Sequence, residues 1–265
     1  MTCCLHAYAS DDYTLDRSRL ILSFDEEFDS PVSFYNPKTG KGTWKTNFFF
    51  GDQKGYSSRT LDPDWEIFSD KAYNGVNPFT QTRHLMVITV AKNKDTGNSL
   101  NHGKRYTAGM LTTEKSFQQT YGYFEVKVAL PSGIGLWPAF WMLSTTRGSN
   151  EEIDCMENLG KDSGTVYCSI HKLDVAQPIN VTHPITIGTA TSMHTYGVLW
   201  TATDLIWYID DKEVARSSNP GLKDPMYLLV TIGVGGSWGG YPNSTTKFPS
   251  QMRIEHVRVY SFNRK

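Results

Sequence analysis

Short apolar runs alternate with turn residues along the whole 265-residue chain. RLILSF (19–24), HLMVITVA (84–91), YGYFEVKVAL (121–130), LWPAFWML (136–143), TVYCSIH (165–171), MHTYGVLW (193–200), LIWYID (205–210), MYLLVTIGVGG (226–236) and RIEHVRVYSF (253–262) all predict strands. Each is rich in β-branched and aromatic residues and bounded by Gly, Pro, Asn or Asp. Within 121–130, Phe124, Val126 and Val128 fall on one face and Tyr123, Glu125 and Lys127 on the other. Asp210-Asp211-Lys212 predicts a tight hairpin turn. No segment carries a helical apolar period over three turns. Short, regularly spaced strands without helices imply an all-β sandwich or barrel. Segments 29–82 and 92–106, rich in Gly, Pro and Asn, are expected as long surface loops, and 172–192 is read as loop too. With no repeats and no linker, residues 19–265 are expected to form a single domain. Residues 1–18, which begin MTCCLHAYAS, are expected to be a poorly ordered extension.

Composition narrows the class. The formal net charge is −1, so nothing argues for nucleic acid or an anionic membrane as partner. No stretch approaches the ~18 apolar residues of a membrane span. Asp11, Asp12 and Asp16 interrupt any signal-like apolar run, so export, if it occurs, uses a removed or different signal. Aromatic residues are abundant, with 7 Trp, 14 Tyr and 13 Phe, enough for a β-core and also for a surface that stacks on flat ligands. The 4 Cys lack a zinc spacing, and Cys155 and Cys168 are read as buried thiols.

The densest chemistry is EEIDCMENLG (151–160), with Glu152, Asp154 and Glu157 as the candidate acids. Glu152 and Asp154 share a strand face, but Glu157 lies at an odd offset. A β-bulge at Cys155-Met156 adds one residue and returns Glu157 to the same face. Leaning carboxyls could then reach the ~5–5.5 Å that a retaining glycosidase needs. The plainer reading is a solvated acidic strand end that binds a cation, and Glu151, facing away, is left to it. Trp137 and Trp141 sit four apart upstream and share a face, either as core or as a sugar platform. Trp238 stands in the glycine-rich GVGGSWGGYP (233–242), where few neighbours can bury it.

With these motifs in order, the chain resembles glycoside hydrolase family 16, the laminarinases and lichenases. EIDCME matches the bulged E-x-D-x-x-E form of its signature, and GLWPAFWML, YGYFEVKVALPSG, IGVGGSWGGYP and RIEHVRVYSF also match. The resemblance implies a concanavalin A-like jelly roll of two curved antiparallel sheets with a concave cleft. It implies a retaining endo-β-glycosidase, with Glu152 as nucleophile, Asp154 as its helper and Glu157 as acid/base. His171 matches a position near the acid/base and would hold that carboxyl, while Trp137, Trp141 and Trp238 would line the cleft. No cofactor is expected for catalysis. A structural calcium is implied on the convex side near Glu27 and Glu255. YGVLW departs from the family, where an acid often precedes this Trp. The bulged signature leans towards β-1,3- or mixed β-1,3/1,4-glucan. A depolymerase of bacterial exopolysaccharide, a transglycosylase and a lectin-like module are the alternatives. A monomer acting on polysaccharide outside the cell or in the periplasm is the resulting expectation.

Overall fold

The computed structural model describes residues 14–49, 58–61 and 63–263. Cys3, Cys4 and most of the expected N-terminal extension lie outside the described residues. Two sheets face one another. The larger, ten-stranded sheet has at its centre β7 (Gly122–Ala129) and β16 (Ser250–Phe262). On one side β7 is followed by β12 (His194–Trp200), β13 (Asp204–Ile209) and β14 (Lys212–Ser218). On the other, β16 is followed by β4 (Leu85–Lys92), β5 (Tyr106–Ala108) and β2 (Glu66–Phe68); β1 (Leu20–Glu26) pairs with β16 and β3 (Phe79–Thr82) with β4. The six-stranded sheet runs β11 (Ile179–Thr186), β10 (Thr165–Lys172), β9 (Glu151–Asn158), β8 (Leu136–Ser144), β15 (Met226–Val234) and β6 (Met110–Thr112). Pairing within the sheets is antiparallel except for β2 with β5. No helix of the described residues is long and apolar enough to cross a membrane.

The period-2 pattern accounts for the core. Phe124, Val126 and Val128 of β7 pack with Phe140 and Met142 of β8 and Val166, Cys168 and Ile170 of β10, all at most 1% exposed. The predicted hairpin forms, with Asp210 and Asp211 both at positive φ (50° and 64°), as a two-residue turn between antiparallel strands requires. Cys155 and Cys168 are free and buried.

Three expectations change. Residues 14–18 belong to the domain: Leu15 is buried against Tyr123, Leu199, Ile206 and Tyr208 on the outer face of the large sheet. Tyr123 and Glu125, outward by alternation, are therefore buried as well. Arg17 caps them, with Nη2 2.6 Å from both Glu125 and Asp211. Burial alone would raise the Glu125 carboxyl, but His256 and Arg17 outweigh it and hold it down at about 2. Leu199, where the family often has an acid, fills this outer core and is remote from the concave face. Second, 29–82 is no simple loop, because it contributes β2 and β3 and buries Trp44, Phe48, Ile67 and Phe68. Third, 172–192 contains β11, whose Pro184 is tolerated because β11 ends the small sheet.

Candidate active site

The site is built on β9, and its register depends on one irregularity. On β8, Ala139 partners Glu157, Phe140 partners Met156, and Trp141 partners Asp154, so the pairing steps over Cys155. On β10, Tyr167 partners Glu157 and Ser169 partners Asp154, leaving Cys168 opposite both Cys155 and Met156. Two residues facing one define a bulge. Cys155 and Met156 both turn into the core at 1% exposed, and Glu152, Asp154 and Glu157 emerge on the opposite, concave face. The interrupted ladder is compensated from the other sheet, where the Trp207 indole N–H donates to the Asp154 carbonyl oxygen at 2.9 Å.

The three acids differ in surroundings. Glu157 is 7% exposed; its Oε1 accepts the Trp137 indole N–H at 2.9 Å, and the Ser169 hydroxyl lies 3.5 Å from Oε2. Burial, then the charge of Glu152, pushes its carboxyl up to about 7, and the bonds from Trp137 and Ser169 restrain the rise. Glu152 and Asp154 share a side-chain hydrogen bond. Burial raises both well above the ordinary range, followed for Glu152 by the charge of Asp154 and for Asp154 by that of Glu157. Like charges on adjacent buried carboxyls disfavour each other, so a proton on one of the pair lets the other ionise.

His171 corrects an expectation. It faces Glu152 across the β9–β10 ladder, and its Nε2 lies 3.1 Å from Asp154 Oδ2. It serves the Glu152–Asp154 pair, while Glu157 is held by Trp137 and Ser169. Glu151 turns away as expected and pairs with Lys172 at 2.9 Å. Trp137 and Trp141 are half-buried on the concave face, and the Trp141 indole donates to the Thr231 hydroxyl at 3.1 Å. The Trp238 ring meets Trp137 edge-on at 5.2 Å and Tyr167 at 4.8 Å. The concave face therefore brings two differently held glutamates beside edge-packed aromatic rings. Tyr167, Ser169, Thr231 and Trp207 were not singled out from the sequence. Alternation along β10 and β15 marks the first three as concave-facing once β9 is placed, but no local signal marks Trp207.

Two places among the described residues bear on metal ligation. Among the described residues, Glu152, Asp154 and His171 bring ligand atoms within 4.8 Å of one another, with His171 Nε2 3.1 Å from Asp154 Oδ2, and they are side chains of the acid cluster itself. Glu27 and Glu255, tied by resemblance to calcium, are each taken by a base of the chain. Arg258 Nε lies 2.5 Å from Glu27, and Lys127 Nζ lies 2.8 Å from Glu255. Cations already neutralise both carboxylates, so this pair does not fit a calcium site.

The family model for glycosyl hydrolases family 16 matches residues 71–257, which include the bulged strand, the three acids and most of both sheets. The chain belongs to glycosyl hydrolases family 16. The endo-1,3-1,4-beta-glycanase ExsH of Rhizobium meliloti is 36% identical over 94% of this chain and 54% of that protein. A beta-glucanase of Rhodothermus marinus is 35% identical over 60% of this chain and 63% of its own length. The chain spans about half the length of the first curated relatives it matches. The laminarinase catalytic domain of Thermotoga maritima superposes with a TM-score of 0.75 at 28% identity, covering 92% of this chain and 99% of that one. The two-sheet sandwich is thus the family 16 jelly roll.

Proposed function

We propose that this chain is an endo-acting retaining glycosidase that cleaves β-1,3- or mixed β-1,3/1,4-glucan. The observation that carries the reading is the asymmetric environment of two glutamates on one concave face. Glu157, held by Trp137 with its carboxyl near 7, keeps a proton to give. Glu152, beside Asp154 and His171, has a neighbour that can take its proton. Four strand positions separate their β8 partners, Ala139 and Leu143, so their Cα atoms are ~13 Å apart at ~3.3 Å per residue. Both side chains are long enough to lean together towards the ~5–5.5 Å of a retaining pair.

In the first step Glu157 protonates the glycosidic oxygen as the C1–O bond breaks. The Glu152 carboxylate attacks C1 and forms a glycosyl ester, and the proton of the pair rests on Asp154. In the second, Glu157, now ionised, takes a proton from water. The resulting hydroxide attacks C1 and releases Glu152, so the anomeric configuration is retained. Trp137, Trp141 and Trp238 supply apolar faces for the sugar rings. A polymeric substrate places the enzyme outside the cytoplasm, extracellular or periplasmic, and the chain acts as a monomer with no catalytic cofactor.

Glu152→Gln and Glu157→Gln should each fold and lose nearly all turnover of laminarin and lichenan. With an activated aryl β-glycoside, azide should convert Glu152→Ala into a producer of the α-glycosyl azide and Glu157→Ala into a producer of the β-anomer. Wild-type turnover by Glu152→Gln would end the assignment. Sizing the products with added oligosaccharide acceptors separates hydrolysis from transfer.

A further inference from the structure

We propose that Glu66 is a positioning residue of the cleft, anchoring the glycine-rich segment 233–242 and through it the Trp238 and Trp137 rings. The proposal rests on the reading of that face as a glucan-cleaving site. Glu66 opens β2 and is fully buried. Its Oε2 accepts the Val234 N–H at 2.7 Å, and the neighbouring Trp65 N–H donates to the Val234 carbonyl at 2.7 Å. Both backbone groups of Val234, the last residue of β15, are thus held by consecutive residues of one other segment.

Beyond Val234 the chain turns through Gly235 and Gly236 at φ 96° and 84°. This segment lies directly on residues 64–66. A Cβ at Gly236 would come 3.1 Å from Asp64 Oδ1 and 3.8 Å from the Trp137 ring. At Gly235 it would come 3.3 Å from both Trp65 and Tyr241, whose ring centroids lie 4.5 Å apart in a tilted contact. The segment then carries Trp238 to within 5.2 Å of Trp137, the residue that donates to Glu157. A chain of direct contacts therefore runs from Glu66 through Val234 and the glycines to the acid/base. A 1 Å misplacement at the end of such a chain is enough to cost turnover or binding.

The anchor responds to pH. The other oxygen of Glu66, Oε1, is buried without a hydrogen-bond partner, so ionisation there is unfavourable. Burial, then the charge of Asp64, pushes the carboxyl up to about 8, against the N–H bonds from Val234 and from Glu66 itself and then the charge of Lys104. Lys104 also donates to the Asp64 carbonyl at 2.5 Å. Among the described residues, the other ionisable groups alongside include Arg105, whose guanidinium lies over Trp65, Tyr106, the register neighbour of Glu66 on β5, Tyr241 against Trp65, and Lys161, which donates to the Trp238 carbonyl at 2.7 Å. Below pH 8 Glu66 is neutral. Above it, a second negative charge appears beside Asp64 directly beneath the segment.

The test compares Glu66→Gln, which keeps an acceptor but cannot ionise, with Glu66→Leu, which has none. On laminarin at neutral pH, Glu66→Leu should raise KM about tenfold and change kcat less than about threefold, as expected for lost positioning of a sugar platform. Glu66→Gln should keep a wild-type KM there and lose the wild-type rise in KM above pH 8. A folded Glu66→Leu with wild-type KM overturns the proposal. A second measurement depends neither on turnover nor on the leucine variant. In a Glu157→Gln background, tryptophan emission titrated with pH should change near pH 8, and the change should vanish on adding Glu66→Gln. Its persistence overturns the proposal. Absence of any glucan turnover by the wild type would sink the reading of the site, while the emission titration still decides the role of Glu66.

Discussion

Trp137→Phe isolates one hydrogen bond at the acid/base. The Trp137 N–H lies 2.9 Å from Glu157 Oε1 and favours the ionised carboxylate, so it restrains a carboxyl that burial has raised to about 7. Phenylalanine keeps a ring against Trp238 and removes the donor. A net preference of ~1 kcal/mol for the charged acceptor, at 1.36 kcal/mol per pH unit, moves the group up by roughly 0.7 unit. The alkaline limb of kcat/KM reports this acid in the free enzyme. With the limb near 7, the ratio of kcat/KM at pH 8 to that at pH 6 is ~0.1; with the limb near 7.7 it is ~0.3. Absolute activity should fall, because the acid is less well oriented, while the relative activity at pH 8 rises about threefold. The assay is reducing-end release from laminarin across the pH range at fixed ionic strength. An aryl glycoside whose leaving group needs no proton serves as control, since its alkaline limb should be shallow in both proteins. A folded Trp137→Phe enzyme whose limb is unmoved or displaced downward would refute the reasoning.

Four further outcomes are expected. Glu157→Gln should stabilise the fold, because a carboxyl raised from 4.5 to about 7 carries a penalty that is absent below pH 4.5 and complete above 7. The gain in thermal unfolding should grow across that window to at most ~3 kcal/mol, and a gain confined to acid pH would contradict it. His171→Gln removes the imidazole beside Asp154, and with it an interaction that holds the raised Glu152 carboxyl down. The acidic limb of kcat/KM should therefore move up by roughly half a unit to one unit, and an unmoved limb would show that His171 is only a spacer. Trp207→Phe leaves the Asp154 carbonyl at the bulge without its donor and should cost about 1–3 kcal/mol in denaturant unfolding, with kcat falling as well. Cys155 and Cys168 are buried, and burial raises both thiols far above their ordinary range, so a thiol reagent should label neither until the protein unfolds.

Period-2 alternation made the fold class, the long strands and the face of Glu152 and Asp154 legible in the sequence, because in a strand the facing of a side chain follows from its position alone. The bulge at Cys155-Met156 could be inferred because Glu157 otherwise points into the core. Trp137 and Trp141 share the concave face for the same reason of spacing. The rest depended on contacts between residues distant along the chain. Leu15 and Arg17 bury an outer face that alternation assigns to solvent, and Arg17 meets Glu125 across 108 positions. The short strands β2, β5 and β6 have only three residues each, too few to show a period, and exist because partners lie beside them. His171 is placed by its ladder with Glu152, which moves it from Glu157 to the Glu152–Asp154 pair. Glu27 and Glu255 meet Arg258 and Lys127, bases that family spacing cannot reveal. The sequence by itself thus determined which residues share a face. Which carboxyl keeps its proton was decided by tertiary structure, because burial and the nearest donor, not residue type, set that balance.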